Sequence, residues 1–196
     1  MKQLLICTQN KNKIKEIKNV LKSFELEILS LKDLNDCEEI DEGGKTFFEN
    51  AFIKAQYYGL KHNILALADD SGLEVFSLGM KPGIHSHRYA KTTEERNEKI
   101  LFELKNKTER KAQFRTVLAL FNPQTKQTSY FQGIIEGEIS YSLKGDGGFG
   151  YDPLFYLKSF NKTLAELTLE EKIKISHRGL ALKNLKEFLN ENLDYL

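Results

Sequence analysis

Apolar positions along the chain alternate between two periodicities. Residues 3–8 (QLLICT) make a short apolar run of the kind a buried strand shows, and after it Ile14, Ile17, Val20 and Leu21 recur at the spacing of one helix face. Strand, turn and helix are expected in succession. Asn10 stands where the helix N-cap falls, and Lys13 projects from the first turn. Thr46-Phe47-Phe48-Glu49 has the spacing of a capping box and opens a second helix through ENAFIKAQYYGL, with Gly59 placed to end it. Two strand-like runs follow, ILALA at 64–68 and LEVFSL at 73–78. Between them Asp69-Asp70-Ser71-Gly72 has the composition of a turn, which puts the two acids at a strand end.

Beyond the loop around Pro82-Gly83, residues 93–105 carry Ile100, Leu101 and Leu104 as an apolar set and read as a helix. AQFRTVLALF, TSYFQGIIEGEI and the run before Gly145 read as further strands. A glycine-rich loop from Gly145 to Gly150 leads into Tyr151-Asp152-Pro153-Leu154-Phe155-Tyr156, and helices are expected at about 163–174 and 177–192. No repeat, low-complexity stretch or linker interrupts the pattern. It predicts a single α/β domain over residues 1–196.

Composition narrows the function classes. With 40% hydrophobic residues the chain can fill one sizeable core, and 29 Lys+Arg against 28 Asp+Glu leave a net charge of +1. Such a balance, with lysines spread along the whole chain, argues against nucleic-acid binding and makes any phosphate contact local. The apolar run from Leu4 to Cys7 is far shorter than a signal-peptide core, and no later run approaches the ~20 apolar residues needed to cross a bilayer. Cys7 and Cys37 match neither a disulfide framework nor a zinc-ligand spacing. A cytoplasmic protein without membrane contact is the expectation.

Several segments carry candidate chemistry. Thr8, Asn10 and Lys13 at a strand-to-helix turn offer a hydroxyl, an amide and an ammonium beside free backbone N–H groups; this suits an anion, or simply an N-capped helix with a solvated lysine. Adjacent carboxylates at Asp69 and Asp70 repel unless a cation or hydrogen-bond donors offset them, so they fit a magnesium site or an Asx-type turn. Glu42 would join that metal only if its loop folds back. Asn50 and Lys54, four residues apart, share a helix face that would point to a phosphate chain or to solvent. His177 and Arg178 stand at a helix start and would bind a base or phosphate edge. Ser176-His177 is a poor nucleophile-base pair, since sequence neighbours rarely converge that way and no G-x-S-x-G elbow is present.

Taken together, TQNKNKIKE (8–16), EGGKTFFENAFIKA (42–55), ADDSGLEV (68–75), PGIHSHRYA (82–90), RKAQFRTVLAL (110–120), GGFGYDPLFY (147–156) and KTLAELTLEEKIKISHRGLAL (162–182) resemble the inosine triphosphate pyrophosphatase family in order and spacing, over nearly the whole chain. The resemblance implies an elongated domain with a central mixed β-sheet flanked by helices, and two lobes with the active-site cleft between them. It also implies Mg2+-dependent hydrolysis of inosine, deoxyinosine and xanthosine triphosphates to monophosphate and pyrophosphate, in a homodimer. Carried over by position, Thr8, Gln9, Asn10, Lys11, Asn12 and Lys13 would hold the triphosphate, with Lys54 adding charge. Glu42 and Asp70 would hold the metal, Asp70 would act as general base with Asp69 in support, and Ser71 would touch phosphate or sugar. Phe149, Gly150, Tyr151 and Asp152 would recognise the base, and Lys172, His177 and Arg178 would close over it; Arg88 resembles a family arginine near the site. The chain departs from the family pattern at Gln9 and Lys91, where glycine is common, and at His87, where a small residue is; the changes at His87 and Lys91 bear on the shape of the loop at 84–91.

Two rivals stay open on the residues. One is a pyrophosphatase of modified pyrimidine or unselected nucleotides. The other is a nucleotide-sensing protein without chemistry, whose mark would be loss of an acid or lysine, yet Lys13, Glu42, Asp69 and Asp70 are all present.

Overall fold

The computed structural model describes residues 2–193. Strand β1 (Lys2–Ile6) leads into helix α1 (Lys11–Leu21), with the Asn10 side chain accepting from the backbone N–H groups of Asn12 and Lys13. Next comes β2 (Leu26–Ser30), a strand that the apolar pattern did not single out: Glu27 is exposed and Ile28 and Leu29 are only half-buried, which blurs its alternation. Helix α2 (Phe47–His62) starts at Thr46, whose hydroxyl accepts from the Glu49 N–H, but the Glu49 carboxylate reaches the Lys45 N–H, so only half of the expected box forms. Nor does Gly59 end it. The helix runs on to His62 and closes at Asn63 in the left-handed region, while Gly59 leaves room for Phe121, whose ring would lie 2.7 Å from an added Cβ.

The largest departure from expectation is β3 (Leu65–Val75), one continuous strand where two strands and a turn were expected. Asp69 and Asp70 lie inside it. Successive strand side chains point to opposite faces, so the two carboxylates diverge and each meets its own lysine; with partners supplied from distant segments, the turn composition loses its force. After β4 (Lys81–Pro82) and α3 (Thr93–Glu103), strands β5 (Lys111–Phe121) and β6 (Thr128–Ile139) match the two predicted runs. The run before Gly145 is not a strand. Residues 141–148 are exposed, and the strand lies after the glycine loop as β7 (Phe155–Leu157), followed by β8 (Lys162–Thr163). Two threonine capping boxes, Thr163 with Glu166 and Thr168 with Glu171, split the helix expected at 163–174 into a 3-10 turn and α4 (Leu169–Ile175). Helix α5 (His177–Asn192) closes the described chain.

The strands form a central sheet in the order β2-β1-β3-β5-β6-β7-β8, with β4 beside β3. Pairing of β1 with β2 and β3 is parallel, and of β6 with β7 and β7 with β8 antiparallel, so the sheet is mixed, as expected, and flanked by helices.

The chain divides into two compact units. The first comprises Met1–Asp70, Thr116–Gly133 and Leu180–Leu196; the second comprises Ser71–Arg115 and Ile134–Gly179. Strands β3, β5 and β6 each contribute residues to both. Each unit has its own core: Leu4, Ile6, Ile17, Leu67, Leu182 and Leu185 in the first, and Leu73, Val75, Ile100, Leu154 and Phe155 in the second. Fully burying such a side chain contributes about 1.5–3 kcal/mol. Among the described residues no helix is long and apolar enough to cross a membrane.

Candidate active site

In the first unit the site grows from the C-terminal end of β1. Thr8 Oγ1 accepts the Asn10 N–H at 3.2 Å, and Asn10 Oδ1 accepts those of Asn12 (2.9 Å) and Lys13 (3.3 Å). The acceptor atoms of this turn bind the backbone, so what the Thr8 hydroxyl and the Asn10 amide still offer is their protons, as donors. Lys11 and Asn12 are exposed on the first turn of α1, and Gln9, also exposed, donates to the Cys37 carbonyl at 3.4 Å. Lys13 binds the buried carboxylate of Asp69.

Lys54, from the third turn of α2, stands between two carboxylates, 3.1 Å from Glu42 Oε1 and 3.4 Å from Asp70 Oδ1. Asn50, one turn earlier, is wholly buried rather than directed outward. Its amide nitrogen reaches Asp70 Oδ2 at 3.3 Å and its oxygen accepts the Gly44 N–H at 2.9 Å, so one side chain ties the Glu42 loop to Asp70. Gly44 is required by that closeness, since a Cβ there would lie 2.5 Å from Asn50 Oδ1. Burial pushes the Asp70 carboxyl above its ordinary range; Lys54 and Lys13 pull the other way, and Glu42 and Asp69 add to the rise. Burial works against the Lys54 charge, but the carboxylates of Asp70, Glu42 and Asp69 outweigh it and hold its pKa above the usual lysine value.

The second unit assembles a different cluster. Thr168 caps α4, and α4 ends at Ser176, whose hydroxyl accepts the Gly179 N–H at 3.1 Å and so starts α5. Only glycine fits at 179, because a Cβ would sit 1.8 Å from the Ile173 carbonyl oxygen. This junction fixes Lys172 on α4 and His177 and Arg178 on the first turn of α5, all three buried. Lys172 pairs with the buried Asp152 at 2.7 Å, and the same carboxylate oxygen accepts the Phe149 N–H at 2.7 Å. Lys172 Nζ lies 4.4 Å and the Arg178 guanidinium 5.5 Å from the Phe149 ring centre. Arg178 also donates to Ser71 at 3.1 Å.

Not every expected residue faces outward here. Tyr151 is buried and donates its hydroxyl to the Ser86 carbonyl at 2.8 Å, and His177 stacks on Phe114 with centroids 4.6 Å apart and planes 12° apart. Arg88 is exposed at the end of the 3-10 segment Gly83–Arg88. Sequence reasoning missed Phe114 and the linking role of Asn50; the first is one apolar residue among many in a strand, and the second shows only once Gly44 is seen against it.

A model of the Ham1 family matches residues 4–188. The chain is 44% identical to a protein of Caldanaerobacter subterraneus subsp. tengcongensis named dITP/XTP pyrophosphatase, over 99% of each chain. It is also 44% identical to one of the same name from Bacillus subtilis, over 96% of this chain and 98% of that one. Among solved structures, a HAM1 protein from Coxiella burnetii superposes with a TM-score of 0.91 at 39% identity, covering 97% of this chain and all of that one. The Ham1 protein of Staphylococcus aureus gives 0.88 at 40% identity, over 96% and 98% of the two chains.

Proposed function

The chain belongs to the Ham1 family, and from that premise we propose that it hydrolyses damaged purine nucleoside triphosphates, dITP, ITP and XTP, to the monophosphate and pyrophosphate. The observation that carries the reading is the cluster of Lys13, Lys54, Asp69, Asp70 and Glu42, in which each lysine is held by carboxylates. The names of the relatives, dITP/XTP pyrophosphatase, support the substrate class.

A divalent cation fits this donor set. Two lysines meet three carboxylates, so a triphosphate arriving alone would face an excess of negative charge. Glu42 and Asp70 already converge on one cation, the Lys54 ammonium. Magnesium takes oxygen ligands and is commonly held by one or two carboxylates together with substrate phosphate, which this pair can supply. Bound there by Glu42 and Asp70, magnesium would neutralise phosphate charge and polarise the phosphorus centre.

The chain's own groups supply the rest. Asp70, kept by burial readier to accept a proton than an ordinary carboxylate, takes a proton from the attacking water. A bond forms from the water oxygen to the α-phosphorus and the bond to the α,β-bridging oxygen breaks, so pyrophosphate leaves with the electron pair. Lys13 and Lys54 offset the charge that grows on it, with Thr8 and Asn10 donating to phosphate oxygens. At the base, backbone donors around Phe149 and the Arg178 guanidinium suit the O6 acceptor of a 6-oxo purine, which adenine lacks; sites of this kind discriminate by roughly 10⁴-fold.

Both cysteines are free thiols, which fits a reducing cytoplasm. Action as a homodimer is part of the same proposal; the exposed Phe48 and Tyr130, packed with ring centres 5.5 Å apart, offer apolar surface for it, and a solution mass measurement decides. The decisive assay is pyrophosphate release with and without magnesium on ITP, XTP, modified pyrimidine triphosphates and ATP. Metal-dependent turnover of ITP and XTP far above ATP supports the reading; equal rates on all would overturn the purine part.

A further inference from the structure

We propose that Asn97, on the buried face of α3, is a positioning residue for base selection, acting through the Gly150–Tyr151 peptide. The inference rests on the proposal that backbone donors around Phe149 serve the purine.

Asn97 is 3% exposed and lies three residues from Ile100, a core residue of the same unit, so its position is one where a leucine would bury well. A buried amide there is costly unless it makes specific bonds. It makes one: Nδ2 donates to the Gly150 carbonyl at 3.1 Å. Its Oδ1 is buried and has no hydrogen-bond partner among the described residues, so the amide is retained with one acceptor unsatisfied. The bond it does make falls on the residue that no side chain of its own can steady. Gly150 has φ 64°, in the left-handed region, and an added Cβ would meet nothing within 4 Å. Its neighbours are fixed independently, Phe149 N–H by Asp152 and the Tyr151 hydroxyl by the Ser86 carbonyl. The turn is closed by the Asp152 N–H on the Phe149 carbonyl at 3.3 Å, a bond that either orientation of the central Gly150–Tyr151 peptide allows, so among the described residues Asn97 sets which way that peptide points.

Because a peptide is planar and trans, its C=O and N–H point in opposite directions. Holding the Gly150 carbonyl toward α3 therefore aims the Tyr151 N–H away from α3. Without Asn97 that peptide can turn through ψ of Gly150, which has no Cβ to restrict it, and φ of Tyr151, and the backbone donor loses its fixed direction.

The test uses the full-length protein and compares kcat/KM on ITP and ATP for the parent, Asn97→Leu and Phe149→Ala. Asn97→Leu keeps an apolar fit to α3 while removing the donor, and it is expected to lower the ITP:ATP ratio on the order of 10-fold, chiefly through KM for ITP. Asn97→Gln, which keeps the amide donor, is expected to recover part of the ratio. If leucine is not accepted by the fold, as judged by thermal unfolding, Asn97→Ser gives the same readout. An unchanged ratio in a folded Asn97→Leu or Asn97→Ser protein, while Phe149→Ala lowers it, overturns the role of Asn97 alone. A ratio unmoved by Phe149→Ala overturns the placement of the purine at this loop, and this inference with it.

Discussion

Around Asp70, two lysines face three carboxylates; around Phe149, two cations face one carboxylate and an aromatic ring. The first cluster carries excess negative charge, and in the proposed reaction it would be completed by an arriving cation with its phosphate chain. The second is satisfied from within: Asp152 already holds both Lys172 and the Phe149 N–H, and Phe149 already lies against two cations. The proposed function accordingly assigns chemistry to the first region and substrate choice to the second. Substitutions in the first should slow every substrate alike, and substitutions in the second should change which substrate is preferred.

The largest effect is expected at Asp70. Asp70→Asn should reduce turnover about 10³-fold or more on every nucleotide. Stability should move the other way: burial raises the folded-state pKa of Asp70 above its unfolded value, so the fold favours the protonated acid. That preference stabilises the protein below the unfolded pKa and is lost as pH rises through the folded one. A neutral amide removes the loss, and the variant should unfold at or above the parent temperature at pH 7. A variant that is inactive because it melts early would break the comparison.

Next come Lys13→Met and Lys54→Met, each expected to lower kcat about 10²-fold with the ITP:ATP ratio intact. A change in that ratio would show that the two regions are not separable. Asp152→Asn should do the reverse, weakening the Lys172 pair and the Phe149 turn and shifting the ratio about 10-fold, with kcat on the poorer substrate nearly unchanged.

How much of this was legible in the sequence differs between the regions for a physical reason. Asn10 and Thr46 read correctly as N-caps because capping is local, settled within three residues. Asp69-Asp70 reads as a turn in the sequence because the partners that offset its charge inside a strand, Lys13 and Lys54, lie 56 and 16 residues away. The helix end at Gly59 failed likewise, since its reason for being glycine is Phe121 on another strand. In the Phe149 region only the helix-start position of His177 and Arg178 is local; Phe149, Asp152 and Lys172 are marked by resemblance to a family, because the Lys172–Asp152 pair joins residues 20 apart. Asn97 left no sequence signal, being one polar residue in a charged helix.

The smallest effect lies outside both regions and serves as a control. Asp36 is held down to about 2, first by the hydrogen bond from Lys61, with the Glu38 N–H and His62 adding to it against burial. A depressed carboxyl contributes stability that is present above its unfolded pKa and lost as pH falls through the folded one. The gap in unfolding temperature between parent and Asp36→Asn should therefore be full above pH ~4 and close toward pH 2, with kcat and the ITP:ATP ratio untouched at pH 7.

The most direct test of the central claim is pyrophosphate release from ITP, XTP and ATP by the parent and by Asp70→Asn, in magnesium and after chelation. Release from ITP and XTP should stand far above that from ATP in the parent with magnesium, should fall about 10³-fold or more in Asp70→Asn, and should be lost on chelation. Undiminished release from a folded Asp70→Asn protein would contradict it.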